Sequence, residues 1–173
     1  MSGVGKTFLC KFISEKLNIS FYDTDELIIK KYNMRLSELI KKYSWEWFRN
    51  EEYNILKNLL YLNNIIISTG GGIIENNRID ELLKNHSVIY IKRIVNENIK
   101  KERLLSKPYD ILFQEREPIY IKLANYTYIN DIEPVNFLNF YIKVFSSGFT
   151  QLDANNNLLG EKSLPNSANC LKK

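Results

Sequence analysis

Short apolar runs, rich in β-branched and aromatic residues, alternate with segments of helical periodicity along the first 145 residues of the chain. The runs occupy residues 19–22, 65–68, 88–91 and 126–129, and helices are predicted over 8–17, within 26–60, and over 79–83, 96–105, 114–124 and 135–145. In the helical segments, apolar residues recur every three or four positions, as on one face of a helix. Because a helical crossover returns the chain to the same end of a sheet, strands joined in this way pair in parallel. The alternation predicts an α/β fold with a parallel sheet.

The composition fits one folded domain. Of the 173 residues, 45% are hydrophobic and 25% are charged, which is enough for a single packed core. We place the domain at residues 1–145 and interpret 146–173, which are polar and lack periodicity, as a poorly ordered tail. The net charge of +4 is too small to indicate a nucleic-acid partner. No apolar stretch approaches the roughly 18 residues of a membrane span.

The cysteines and the amino terminus bear on location. Cys10 and Cys170 lie far apart and form neither a disulfide framework nor a metal motif. No signal peptide precedes the domain. We therefore expect a cytoplasmic protein, with a monomer as the default state.

A glycine-rich segment opens the chain directly before the first amphipathic helix. Gly3, Val4, Gly5, Lys6 and Thr7 match the last five positions of the pattern G-x-x-x-x-G-K-[ST]. In such a loop the backbone amides surround phosphate oxygens, the lysine reaches the β- and γ-phosphates, and the hydroxyl binds Mg²⁺. The segment predicts ATP binding, and the alternative is a flexible terminus. The strand that normally precedes such a loop is missing from the sequence, so we expect a sheet without its central strand.

Two acids, Asp23 and Asp25, follow the first predicted strand. Open α/β sheets bind ligands at the carboxyl ends of their strands. One carboxylate can support Mg²⁺ and its waters, while the other orients a hydroxyl or accepts its proton. The alternative is that Asp25 only caps a helix beginning at Glu26.

Three glycines and two arginines complete the candidate residues. Gly70, Gly71 and Gly72 follow a predicted buried strand, where they allow a ligand to approach the backbone closely. Arg49 and Arg116 are candidates to bind a carboxylate, because a guanidinium presents a planar pair of donors. The alternatives are a tight turn and two solvated surface charges.

Taken in order, these motifs resemble the shikimate kinase family. The resemblance runs from Met1 to about Ile129, on the segments MSGVGKT, FYDTDELI, WFRNEE, STGGGII, VIYIKR and EREPIYIKLANYTYI. It implies the three-layer P-loop kinase fold, with a parallel sheet of five strands whose first is absent here. It also implies ATP-dependent phosphorylation of the shikimate 3-hydroxyl, giving shikimate 3-phosphate and ADP, in aromatic amino-acid biosynthesis through chorismate.

The resemblance assigns roles to individual residues. Lys6 and Thr7 would hold phosphates and Mg²⁺, and Asp23 would support the metal. Asp25 would bind substrate hydroxyls and guide the proton. The two candidate arginines would grip the substrate carboxylate, and the triple glycine would line the pocket with backbone amides.

The segment that would close over ATP departs from the family pattern. This lid, at about residues 104–115, is shorter than usual, and its arginine before a proline is replaced by Lys107 before Pro108. Arg103 is an alternative occupant of that position. Lysine supplies the charge for a transferring phosphate but not a planar fork.

Two further functions remain open at this point. One is another small-molecule kinase of the same fold, such as a gluconate or nucleotide kinase. The other is an inactive nucleotide-binding remnant, which the altered lid and the missing first glycine of the G-x-x-x-x-G-K-[ST] pattern favour. The intact lysine, paired acids and triple glycine favour an active shikimate kinase.

Overall fold

The computed structural model describes residues 3–93, 105–146, 151–152 and 158–159. Its α-helices are α1 (Lys6–Leu17), α2 (Thr24–Tyr32), α3 (Leu36–Lys42), α4 (Trp45–Leu59), α5 (Ile79–Leu83), α6 (Tyr109–Leu123) and α7 (Pro134–Ser146). Its strands are β1 (Ser20–Asp23), β2 (Ile65–Ser68), β3 (Ile89–Arg93), β4 (Tyr126–Asn130), β5 (Gln151–Leu152) and β6 (Leu158–Leu159). A short 3₁₀ helix covers Ile73–Glu75.

The four longer strands form two parallel pairs. β1 pairs with β2, with Ser20 opposite Ile65, and β3 pairs with β4, with Ile89 opposite Tyr126. The predicted parallel direction is confirmed. Within the described residues, β2 and β3 are not hydrogen-bonded to each other, so the pairs are separate sheets.

One apolar core joins the two pairs. Leu9 and Ile13 from α1 pack in the same cluster as Ile91 from β3, Tyr128 from β4 and Phe137 from α7. The inward residues of β2 contact this cluster as well. Burial of a leucine or isoleucine contributes about 1.5–3 kcal/mol. The core therefore fixes the two carboxyl ends of the strand pairs relative to each other without a continuous hydrogen-bond ladder.

A second, smaller core lies among α2, α3 and α4. Ile28, Leu39 and Phe48 are its buried members. Ser44 caps α4, its hydroxyl accepting a hydrogen bond from the Trp47 amide at 3.1 Å. This cluster holds α4 against α2, and the next residue after Phe48 is the candidate arginine Arg49.

Helix α2 begins earlier than predicted. Its first residue is Thr24, and the capping residue is Asp23, whose Oδ1 accepts from the amides of Asp25 and Glu26. The alternative in which Asp25 caps the helix is therefore wrong. Asp25 lies in the first turn, where its charge interacts favourably with the helix dipole.

Helix α6 also begins earlier, at Tyr109 rather than residue 114. Pro108 precedes it with φ −50° and its carbonyl accepts from the Leu112 amide at 3.1 Å, so the proline begins the first turn. Residues 109–115 of the expected lid are thus helical. The predicted helix 96–105 falls almost wholly outside the described residues, and Leu105 itself is not helical.

The carboxyl-terminal segment is described only in part. β5 and β6 pair antiparallel, with Gln151 opposite Leu159. The rest of the predicted tail beyond residue 146 lies outside the described residues. None of the described helices is both long and apolar enough to span a bilayer.

Candidate active site

The glycine-rich loop is held against the end of strand β4. Gly5 has φ +91°, a left-handed conformation that favours glycine. The Val4 carbonyl accepts a hydrogen bond from Asn130 Nδ2 at 2.8 Å, and Val4 itself is buried. A Cβ on Gly5 would lie only 2.7 Å from that same nitrogen. Close approach of Asn130 therefore requires glycine at position 5.

The loop leads into α1, whose first residue is Lys6. The first turn carries no acidic residue. Backbone amides and the positive end of the helix dipole therefore face the loop without a competing carboxylate on that turn. The glycine-rich loop, the lysine and the amino terminus of α1 together form an arrangement suited to binding phosphate.

Three oxygen atoms meet where α1 passes the ends of β1 and β2. Thr7 Oγ1 donates to Asp23 Oδ2 at 2.7 Å and lies 3.5 Å from Ser68 Oγ. Asp23 and Ser68 are both buried. Among the described residues, no group of three or more His, Cys, Asp or Glu side chains is arranged to hold a metal ion. A hydroxyl with a single carboxylate nevertheless suits Mg²⁺, which keeps several waters and takes its other ligands from phosphates.

Asp25 faces the triple glycine. A Cβ on Gly70 would lie 3.0 Å from Asp25 Oδ1 and 2.0 Å from Glu52 Oε1. The Gly70 amide donates to Thr24 Oγ1 at 3.1 Å, which ties the start of α2 to the loop after β2. Glycine at position 70 leaves room for both carboxylates, so the structure brings Asp25 and the triple glycine together.

Arg49 lies against Gly72 and is paired with Glu52. The Arg49 Nη1 donates to Glu52 Oε2 at 2.5 Å, and a Cβ on Gly72 would fall 2.0 Å from the guanidinium carbon. The Arg49 side chain is only 12% exposed. The surface-charge alternative is therefore wrong for this arginine.

Glu52 is an acid in an unusual environment. It is fully buried, and its Oε1 has no hydrogen-bond partner among the described residues. Burial raises the pKa of Glu52 to about 7, even though the neighbouring Arg49 favours the ionised form. The arginine beside it also loses hydration, but the adjacent carboxylates hold its pKa above the usual value. Arg49 therefore stays charged.

Arg116 approaches the same loop from helix α6. Its side chain is 6% exposed, and its Nε donates to Glu75 Oε1 at 3.0 Å. One turn further along α6, the Tyr120 hydroxyl donates to the Gly71 carbonyl. Burial raises the pKa of Tyr120 to about 12, so its hydroxyl keeps its proton. Arg116 is therefore also no surface charge, and α6 places Tyr120 against Gly71 and Arg116 against Glu75.

Of the two candidate lid cations, Lys107 and Arg103, the structure describes only Lys107. The Lys107 ammonium donates to both carboxylate oxygens of Glu115, at 2.7 and 2.8 Å, in an exposed pair. That pair joins the residue before Pro108 to the second turn of α6. Arg103 lies outside the described residues.

Sequence reasoning missed four residues that build this site: Glu52, Glu75, Tyr120 and Asn130. Two of them carried a signal. Glu52 follows Arg49 by three positions and Tyr120 follows Arg116 by four, so each pair shares a helix face. The other two act through contacts between distant parts of the chain, which local patterns do not reveal.

A family model described as shikimate kinase matches residues 2–144. The chain belongs to the shikimate kinase family. A shikimate kinase of Macrococcus caseolyticus is 35% identical over 143 residues, an alignment that covers 76% of this chain and 84% of that protein. One from Aquifex aeolicus is 32% identical over 130 residues and covers 68% of this chain and 76% of that protein.

Solved structures of the shikimate kinase family have the same fold. The crystal structure of shikimate kinase from Aquifex aeolicus superposes with a TM-score of 0.70 at 29% identity, covering 83% of this chain and 90% of that one. A shikimate kinase from Acinetobacter baumannii, solved in complex with shikimate, gives a TM-score of 0.73 at 24% identity, with 85% and 90% covered. The second likeness concerns the fold alone. The predicted family and fold class are confirmed.

Proposed function

We propose that this chain transfers the γ-phosphoryl group of ATP to the 3-hydroxyl of shikimate, giving shikimate 3-phosphate and ADP. Membership of the shikimate kinase family supports the activity. The observation that carries it is the pair of buried guanidiniums, Arg49 and Arg116, beside the triple glycine and Asp25. Buried cations of this kind suit an acceptor that carries a carboxylate.

The glycine-rich loop is the proposed ATP side of the site. Gly3, Val4 and Gly5 would direct amides to the phosphates, and Lys6 would neutralise their charge. Thr7 and Asp23 would hold Mg²⁺ through the hydroxyl and the carboxylate that now hydrogen-bond to each other. When bound, the ion neutralises charge on the phosphates.

The triple glycine is the proposed acceptor side. Arg49 and Arg116 would bind the shikimate carboxylate, and the backbone of residues 70–72 would approach the ring closely. Asp25 would accept a hydrogen bond from the acceptor hydroxyl and receive its proton as the oxygen–phosphorus bond forms. Phosphoryl transfer depends mainly on such positioning and on charge neutralisation.

The remaining functional assignments rest on sequence alone. Arg103 or Lys107 would supply a cation to the transferring phosphate from the lid. A monomeric state, the lack of a nucleic-acid or membrane partner and a cytoplasmic location stay predictions.

The second candidate is an inactive remnant of a shikimate kinase. The separation of β2 from β3 among the described residues favours it, because the two strand pairs share no ladder of backbone hydrogen bonds. The closely packed acids and arginines oppose it. A gluconate or nucleotide kinase remains the other enzyme alternative; because gluconate and nucleotides also carry anionic groups that arginines bind, the choice of acceptor separates these enzymes.

An ADP-release assay with alternative acceptors tests the proposal. Shikimate, gluconate and CMP are offered separately with ATP and Mg²⁺. We expect shikimate alone to stimulate ADP release, and omission of Mg²⁺ to abolish the stimulation. Stimulation by CMP or gluconate but not by shikimate would overturn the assignment, and no stimulation by any acceptor would favour the remnant.

A further inference from the structure

Glu75 bridges the two arginines that the proposed function assigns to the substrate. Its Oε2 accepts from Arg49 Nε at 2.7 Å, and its Oε1 accepts from Arg116 Nε at 3.0 Å. The Arg116 Nη2 also donates to Oε1. A single carboxylate thus already occupies donors on both guanidiniums.

The carboxylate of Glu75 is the accessible member of this cluster. Its side chain is 36% exposed, against 12% for Arg49 and 6% for Arg116. Glu75 is the last residue of the 3₁₀ helix that follows the triple glycine, and the two residues before it, Ile73 and Ile74, are buried in the core. The backbone is therefore anchored, while the side chain can turn toward solvent by rotation about its own bonds.

The charges of the cluster favour the bridge. Arg49 and Arg116 supply two positive charges, and Glu75 and the buried Glu52 face them. Partial burial alone would raise the pKa of Glu75, but the hydrogen bonds from Arg116 and Arg49 outweigh it and lower that pKa below the usual value. Glu75 is therefore an anion at neutral pH. It neutralises part of the positive charge of the two arginines, which would otherwise attract an incoming carboxylate.

We propose that Glu75 competes with the carboxylate of the substrate, holding both arginines in the substrate-free protein and leaving them when the substrate binds. The idea rests on the proposed function, because it names the same arginines as the substrate site. Each N–H group can satisfy only one strong acceptor along its own direction, so the substrate and Glu75 cannot both use the Arg116 donors fully. Glu75 thereby sets the affinity of the site for carboxylates.

The contrasting role for Glu75 is that of a permanent hydrogen-bond partner of both arginines. In that case the carboxylate would orient both guanidiniums, and its removal would weaken substrate binding. Competition predicts the opposite sign, so one binding measurement separates the two roles.

The experiment is calorimetric titration of the nucleotide-free protein, comparing wild type with Glu75→Gln. Glu81→Gln is the matched control, because Glu81 is an exposed acid on α5 that pairs only with Lys84 over 3.8 Å among the described residues. We expect the dissociation constant for shikimate to fall at least about threefold in Glu75→Gln, since a like charge leaves the site. The control should bind as wild type does. Shikimate methyl ester, which has no negative charge, should show no gain.

Two additions keep the outcome decisive. Glu75→Asp is a second variant, in which a shorter acid cannot reach both guanidiniums, and we expect an intermediate gain. Cyclohexene-1-carboxylate is a probe without hydroxyls, so tighter binding of it to Glu75→Gln would support competition even if no phosphoryl transfer to shikimate is found. Unchanged or weaker binding of both carboxylates, or an equal gain for the ester, would overturn the role of Glu75 and leave the proposed function standing.

Discussion

Four carboxylates within one small region have different tasks because their surroundings differ. Asp23 divides its two oxygens between capping α2 and accepting from Thr7. Asp25 faces the triple glycine, Glu52 is buried beside Arg49, and Glu75 bridges the arginines from the exposed side. Position therefore separates the proposed metal ligand, the proposed proton acceptor and the proposed competitor from the buried acid Glu52, although all four groups are chemically similar.

The first prediction concerns Asp25. We expect Asp25→Asn to lower the turnover number with shikimate by about 10²–10⁴-fold, because the amide cannot accept the hydroxyl proton. ATP affinity should stay unchanged, since the glycine-rich loop is not altered. Steady-state kinetics and ATP titration measure both quantities. Glu26→Gln, an exposed acid on the same turn, is the control, and wild-type turnover in Asp25→Asn would remove Asp25 from the mechanism.

The second prediction concerns pH and Glu52. The folded pKa of about 7 lies above the unfolded value of 4.5, so the folded state binds more protons between those values. By linkage, the contribution of Glu52 to the free energy of unfolding is fully present below the unfolded pKa and is lost as pH rises through the folded pKa. The total loss is on the order of 3 kcal/mol. Glu52→Gln cannot ionise and should not show this loss.

Urea unfolding of both proteins at several pH values between 4.5 and 8 measures the difference. Subtracting the variant's unfolding free energy from that of the wild type removes the contribution of other carboxylates, such as Glu75 and Asp131, whose lowered pKa values act in the opposite direction. The difference should decrease with rising pH. A difference that stays constant would mean that Glu52 ionises normally in the folded protein.

At the scale of elements, the end of β4 supports the glycine-rich loop. Asn130 donates to the Val4 carbonyl and accepts from the Ile132 amide at 2.9 Å, so one side chain joins two backbone segments. The first contact spans 126 residues of sequence. The end of β4 thereby positions the loop that is proposed to hold phosphate.

We expect Asn130→Ala to weaken both the fold and nucleotide binding. The buried Val4 carbonyl would lose its partner, at a cost of about 1–3 kcal/mol in the free energy of unfolding. The KM for ATP should rise more than the KM for shikimate, since the loop rather than the arginine pair is released. Urea unfolding and kinetics measure these effects. Asn139→Ala, exposed on α7, is the control, and an unchanged KM for ATP would contradict the positioning role.

The sequence indicates the candidate site residues better than it indicates the residues at which helices begin. The glycine-rich loop, the triple glycine and the two arginines are local motifs. Their residue types alone indicate which ligand groups they could bind. The starts of α2 and α6 were misplaced because Asp23 and Pro108, rather than apolar periodicity, decide them. Glu75 was not foreseen because its bond to Arg116 spans 41 residues, and no local pattern marks it.

At the scale of the whole molecule, side chains join the two strand pairs, through a shared apolar core and through hydrogen bonds such as those of Thr7 and Asn130. Helix α1 carries Leu9 and Ile13 into the cluster that also holds residues of β3, β4 and α7. No described ladder bond joins β2 to β3. The relative position of the acceptor side and the nucleotide side thus depends on side-chain packing rather than on a continuous sheet.

Shortening a buried side chain of this core should reduce the stability of both strand pairs. We expect Ile13→Ala, at a residue that is 1% exposed, to lower the unfolding free energy by about 2–5 kcal/mol. Hydrogen exchange should then show less protection in β1 and β2 and in β3 and β4 to a similar degree. Phe8→Ala, an exposed residue on the same helix, is the control. Loss of protection confined to one pair would contradict a shared core.

The most direct test of the whole account is the identity of the reaction product. The chain is incubated with ATP, Mg²⁺ and shikimate, and the mixture is followed by phosphorus NMR. We predict a new phosphomonoester resonance that couples to the proton on carbon 3 of the ring and grows in equal amount with ADP. ADP without that resonance, or neither product, would contradict the assignment of this chain as an active shikimate kinase.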